Sequence, residues 1–119
     1  MRHDGPTLLV LTRQVVAHLD RGQGKSPGVA LGAYVLSAGG GDAPDVIPIG
    51  TGSEVQLCMR AQEMPIPYGV KARVVSMPSW DLFDAQDEAY RESALPKGVK
   101  KRVTVEAAAS LGWRRWAGR

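Results

Sequence analysis

Short apolar runs, each broken by glycine or proline, set the rhythm of this chain. Thr7-Leu8-Leu9-Val10-Leu11 follows the turn signal Asp4-Gly5-Pro6 and predicts a buried strand. Tyr34-Val35-Leu36-Ser37-Ala38 predicts a second strand, ended by Gly39-Gly40-Gly41. Asp45-Val46-Ile47-Pro48-Ile49-Gly50 predicts a third, and Pro48, which has no amide to give a ladder, argues for an edge strand or a bulge.

Gly50-Thr51-Gly52-Ser53 then leads into a helical pattern over Glu54–Met64. Ser53 is placed to cap it, Glu54 suits the positive helix end, and Val55, Cys58, Met59 and Gln62 recur at helical spacing. Pro65 and Pro67 stop it, and Val70–Met77 predicts a fourth strand. Strand, glycine turn, helix and strand make one β-α-β unit, hence a parallel pair. Asp84–Ser93 predicts a polar surface helix with Ala89 and Tyr90 turned inward, and Lys101–Ala107 a fifth strand. The stretch from 108 to Arg119 has no clear period. The expected fold class is α/β, a three-layer, mostly parallel sheet.

The 119 residues fit one domain, and 44% hydrophobic with 23% charged side chains is the balance of a folded globular chain. One cysteine, Cys58, excludes a disulfide framework and suits a reducing compartment, hence a cytoplasmic protein. No apolar run approaches the roughly 20 residues that span a bilayer, and the N-terminus has no secretory design. The net charge of +3 is unevenly spread. Residues 97–119 carry seven basic side chains against Glu106 alone, and Trp113 and Trp116 flank Arg114-Arg115. Stacking on single-stranded nucleic acid is one use of such a tail. A face that pairs with the acids Asp81, Asp84, Asp87, Glu88 and Glu92 is the simpler one, so no nucleic-acid partner and no membrane are expected.

Candidate chemistry is sparse. The turn Gly50, Thr51, Gly52, Ser53 opens a helix, where backbone amides can hold a small anion, but it is neither a dinucleotide fingerprint nor a P-loop. His3 and His18 have no metal-ligand spacing, so no metal site is expected. Cys58 reads as a packed apolar group. Arg13 stands just beyond the apolar run 7–11, where a guanidinium fork can grip phosphate.

Ser76-Met77-Pro78-Ser79-Trp80-Asp81-Leu82-Phe83-Asp84-Ala85-Gln86-Asp87 resembles the transketolase signature of that family's C-terminal domain. Ile49-Gly50-Thr51-Gly52-Ser53-Glu54-Val55 and Tyr90-Arg91-Glu92-Ser93 are similar too, and Asp4–Thr7 with Leu11-Thr12-Arg13-Gln14 resembles the last strand of the pyrimidine-binding domain. The resemblance implies three segments: 1–14 as the end of the pyrimidine-binding domain, 15–28 as a linker, and 29–119 as a partial C-terminal domain. It implies an enzyme that transfers a two-carbon ketol unit between sugar phosphates in the pentose phosphate pathway, with thiamine diphosphate and magnesium, as a homodimer. Arg13 matches the family's sugar-phosphate arginine. The parts of the family that hold metal, cofactor and the activating glutamate precede Asp4, so this chain alone is expected to bind no cofactor and to be non-catalytic. Gly5-Pro6-Thr7 is followed by Leu8 where the family has histidine. The family's continuation into a glycine-rich segment and final helix leaves an expectation of a partly uncovered sheet face, and of association with the other transketolase domains. The alternative is a small-anion-binding or assembly module built on Gly50–Ser53.

Overall fold

The computed structural model describes residues 5, 6, 8, 11–19, 28–39, 41–64 and 69–118. After a 3-10 turn at Gly28–Leu31, four strands follow: β1 (Tyr34–Ser37), β2 (Ile47–Gly50), β3 (Val74–Ser76) and β4 (Arg102–Val105). Helix α1 (Val55–Glu63) lies between β2 and β3, and α2 (Trp80–Asp84) and α3 (Glu88–Ala94) between β3 and β4. The sheet order is β1-β3-β2-β4, with β2 parallel to both neighbours and β1 antiparallel to β3. The expected β-α-β unit is therefore β2-α1-β3, and the sheet is mostly parallel.

Alternation along β2 divides the interior. Ile47 and Ile49, fully buried, share one face with Val75 and pack with Met77, Phe83, Leu95, Trp113 and Trp116. Gly50 turns to the opposite face, where a side chain would meet the Cys58 sulfur and Val55 of α1. Helix α1 thus covers one face of the sheet, and α2, α3 and the tryptophans cover the other, which gives the three layers.

Five local expectations are corrected. Pro48 lies in an interior strand, facing Val103 of β4 in register. The hydrogen bonds of Ile47 run towards β4 and those of Val46 towards β3, so the amide that Pro48 lacks belongs to the β3 side. There the ladder is broken into an isolated Val46–Ala72 bridge and the pairs Ile49–Val75 and Gly50–Ser76. Next, the helix expected over 84–93 is two helices. Asp87 caps the second by accepting the Tyr90 amide at 2.7 Å, which interrupts the run at Ala85–Asp87. As a consequence Ala89 is exposed, and Ala94 is the buried alanine.

The fourth concerns burial in the run 7–11, most of which lies outside the described residues. Residues 7, 9 and 10 lie outside the described residues, and Leu8 and Leu11 are 86% and 79% exposed, with no strand assigned to either. The fifth is the tail. Trp113 and Trp116 are 6% and 8% exposed, built into the core rather than displayed for stacking. A turn at Gly112, with φ of 83°, leads into a 3-10 turn at Trp113–Arg115. The two rings meet Trp80 edge-on at 5.0 Å and Phe83 at 5.4 Å. These rings cluster with Ile47, Ile49 and Val75 of the central strands.

Candidate functional site

The Gly50–Ser53 turn stands at the C-terminal end of a central strand. Its glycines have identifiable structural reasons. At Gly50 an added Cβ would lie 3.0 Å from both the Cys58 sulfur and the Val55 Cα, so β2 and α1 approach closely only because no side chain intervenes. Gly52 adopts φ of 54°, the left-handed conformation that lets the chain reverse into the helix. Ser53 does not cap: its hydroxyl donates to the Glu54 carboxylate at 2.7 Å, and no side-chain cap bond forms at either candidate N-cap, Thr51 or Glu54. The Glu54 amide is used internally, donating to the Thr51 carbonyl at 3.1 Å. The turn thus carries its own carboxylate at the helix start, which matches the helix dipole from within the chain.

The segment before the domain lies against this turn. The Ala17 amide donates to Gln56 Oε1 at 3.4 Å, and Val16 to Leu19 line a cavity of about 300 Å3 with Gly52, Ser53 and Gln56. His18 is therefore brought beside the turn, a neighbour that sequence spacing did not announce. Arg13 is exposed on a bend and is not among the residues lining this cavity. His3 lies outside the described residues, as do 20–27 of the expected linker.

The residues that resemble the family signature act as framework. Met77 donates its amide to the Gly50 carbonyl at 2.9 Å, fastening the signature to the turn. Ser79 caps α2, Phe83 is buried, and Trp80 packs on Trp113. The acids that follow are engaged: Asp84 binds Arg115, Asp87 caps α3, and Glu88 pairs with Lys97. The Lys97 ammonium holds the Glu88 carboxyl below the usual carboxylate range. Cys58 is buried and its thiol is pushed up to about 11, chiefly by burial, so it is a packing group and a poor nucleophile at neutral pH. Among the described residues no group of three or more His, Cys, Asp or Glu side chains is placed to hold a metal ion. None of the described helices is long and apolar enough to cross a membrane.

One buried cation escaped sequence reading. Arg73, 6% exposed, donates to the carbonyls of Ser93, Gly41 and Asp42 at 3.0, 3.4 and 3.1 Å, tying the loop before β2 to the end of α3. An arginine inside the apolar run Ala72–Met77 was the available signal.

Comparison with known proteins places this geometry. A family profile described as "Transketolase-like TK C-terminal domain" matches residues 32–119. Transketolase of Nostoc sp. is 52% identical over 118 residues, which is 98% of this chain and 17% of that protein. The structure of transketolase from Leishmania mexicana superposes with a TM-score of 0.65 at 40% identity, covering 76% of this chain and 13% of that one. Transketolase from Pichia stipitis in complex with sedoheptulose 7-phosphate gives 0.63 at 36% identity, with coverage of 76% and 13%. The chain therefore spans less than a fifth of the length of the relatives it matches, and over that span it belongs to the transketolase C-terminal domain family.

Proposed function

We propose that the chain serves as the C-terminal domain of an enzyme that transfers a two-carbon ketol unit between sugar phosphates in the pentose phosphate pathway of the cytoplasm. The observation that carries this reading is 52% identity to a transketolase across nearly the whole chain. The sugar-phosphate complex of the Pichia stipitis relative supports the substrate class.

Thiamine diphosphate and magnesium belong to that reaction, and the donor set of the described residues does not fit them. No metal-ligating cluster is present among those residues, and of the signature carboxylates Asp84 is taken up by an ion pair and Asp87 by a helix cap. No catalytic step is assigned to this chain. Its contribution is architectural: a packed α/β body that positions the segment carrying Arg13. Arg13 is the substrate-binding residue of this reading, a guanidinium fork for the sugar phosphate, and its exposure leaves that fork available. The partners are the preceding domains of a transketolase and, through them, a second subunit. Trp113 and Trp116 are buried, so they lend no support to stacking on single-stranded nucleic acid.

The test is calorimetric titration of thiamine diphosphate with magnesium into the purified chain, paired with a ketol-transfer assay. No saturable heat and no transfer are expected. Saturable binding, or transfer by the chain alone, overturns the non-catalytic reading.

A further inference from the structure

A second cleft, remote from the Gly50–Ser53 turn in sequence, opens between α3, the start of β4 and the C-terminal turn. Its volume is about 290 Å3, roughly ten times the volume a water molecule takes in the liquid. Four cations line it, Arg91, Lys97, Arg102 and Arg115, against two acids, Glu88 and Glu92, over an apolar floor that includes Leu95 and Trp116.

The charges are unequally satisfied. Lys97 is paired with Glu88, and Arg115 with Asp84. Among the described residues Arg102 donates only to the carbonyls of Val99, Leu95 and Pro96, at 3.0, 3.2 and 2.8 Å, so three neutral oxygens hold it in place without cancelling its charge. Burial already works against that charge, and Glu92 is the acid that offsets it. Glu92 also accepts the Lys97 amide at 2.8 Å. Arg91 has a buried Nε with no hydrogen-bond partner, and the Trp116 indole nitrogen is in the same condition. Both atoms belong to residues that line this cleft, but both are themselves closed to solvent, so they are not contact points for a ligand in it. Arg91 and Arg102 are joined to no carboxylate by a hydrogen bond among the described residues, and their positive charge suits a ligand that only accepts.

We infer that this cleft binds the phosphate group of a small phosphorylated metabolite, with Arg91 and Arg102 as the principal cations. A phosphate ester carries about −1.5 to −2 charges at neutral pH and three acceptor oxygens, which suits two guanidinium groups. The cleft exceeds the size of a phosphate group, and its apolar floor accommodates a short organic body. The site is independent of the ketol-transfer reading, because Arg13 and the Gly50–Ser53 turn take no part in it.

The test is a proton–nitrogen NMR titration of the full chain, first with inorganic phosphate and then with glycerol 3-phosphate, at constant ionic strength because screening alone shifts exposed charges. Saturable shifts are expected at the Arg91 and Arg102 Nε–H and Trp116 indole signals, with glycerol 3-phosphate at least as tight as phosphate. Arg91→Gln weakens binding about tenfold, the loss expected for one charge-assisted bond. Glu92→Gln tightens it several-fold while keeping an oxygen for the Lys97 amide, and a gain cannot come from misfolding. Shifts that never saturate, shifts confined to the Gly50–Ser53 amides, or an affinity unchanged by Glu92→Gln overturn the site.

Discussion

One guanidinium nitrogen of Arg115 donates to both carboxylate oxygens of Asp84, at 2.7 and 2.6 Å, while the guanidinium carbon lies 4.5 Å from the centre of the Trp116 ring. A signature acid in α2 and a cation of the C-terminal turn are thereby joined over the ring that closes the core. Both side chains of the pair are partly exposed, at 50% and 34%, so the contribution is modest and salt-sensitive. Arg115→Ala is expected to cost about 1 kcal/mol from the pair and the cation–π contact together. A double-mutant cycle with Asp84→Ala, read by urea denaturation at low and high salt, checks it: the coupling shrinks as salt rises.

The ring beneath carries far more. Trp116 buries its surface against Phe83 at 5.4 Å and Trp113 does so against Trp80 at 5.0 Å. Trp116→Ala removes a large core side chain and is expected to cost about 3–5 kcal/mol. Leu111→Ala, two residues before Trp113 and 86% exposed, is expected to change stability by less than about 0.5 kcal/mol. Denaturation midpoints of the two variants decide whether the tail is core or appendage.

Gly32 is a second fixed point. It adopts φ of 84°, its carbonyl accepts the Ser79 amide at 3.0 Å, and an added Cβ would sit 2.3 Å from the Phe83 backbone nitrogen. Backbone cannot move aside as a flexible side chain can. Gly32→Ala therefore adds a clash to the roughly 1–2 kcal/mol of left-handed strain, and a steep fall in thermal midpoint is expected. Gly50→Ala is milder, since one of its two 3.0 Å contacts is the Cys58 sulfur. Combining it with Cys58→Ala is expected to recover part of the loss.

Cys58 gives the chain an alkaline dependence. Its thiol titrates at about 11 in the folded state against 9.0 for the unperturbed group, because burial disfavours the thiolate. Below pH 9 both states hold the proton and stability is unaffected. As pH rises from about 9 to about 11 the unfolded chain ionises first, so stability falls across that window and levels above it. Cys58→Ala removes this part of the slope, and denaturation at a series of pH values measures it. A slope unchanged by the substitution contradicts the assignment.

How much of this was legible in the sequence varied with the range of the interactions. The β2-α1-β3 unit was readable because an apolar run, a glycine turn and the spacing of Val55, Cys58, Met59 and Gln62 are local signals with one physical solution. The tail was not, since Trp113 and Trp116 span a single turn with no longer period, and their burial depends on Phe83 and Trp80 some thirty residues earlier. Pro48 misled for a related reason. Its missing amide was visible, but the side it faces was not, and β3 begins only beyond the gap. At the candidate turn, Gly50 and Gly52 were equally compatible with holding an anion and with close packing. The contact of Gly50 with α1 and the Ser53–Glu54 bond exist only in three dimensions. The cleft of Arg91 and Arg102 was hidden altogether, because its cations come from separate elements and only their unequal pairing marks it.

In the proposed function, residues 29–119 supply a C-terminal domain to a ketol-transferring enzyme without supplying its chemistry. The most direct measurement replaces the matching segment of the Nostoc sp. transketolase with these residues and assays ketol transfer by the purified chimera. A folded chimera that retains transfer is the expected result. A chimera that folds, binds thiamine diphosphate and magnesium, and yet transfers nothing contradicts the claim.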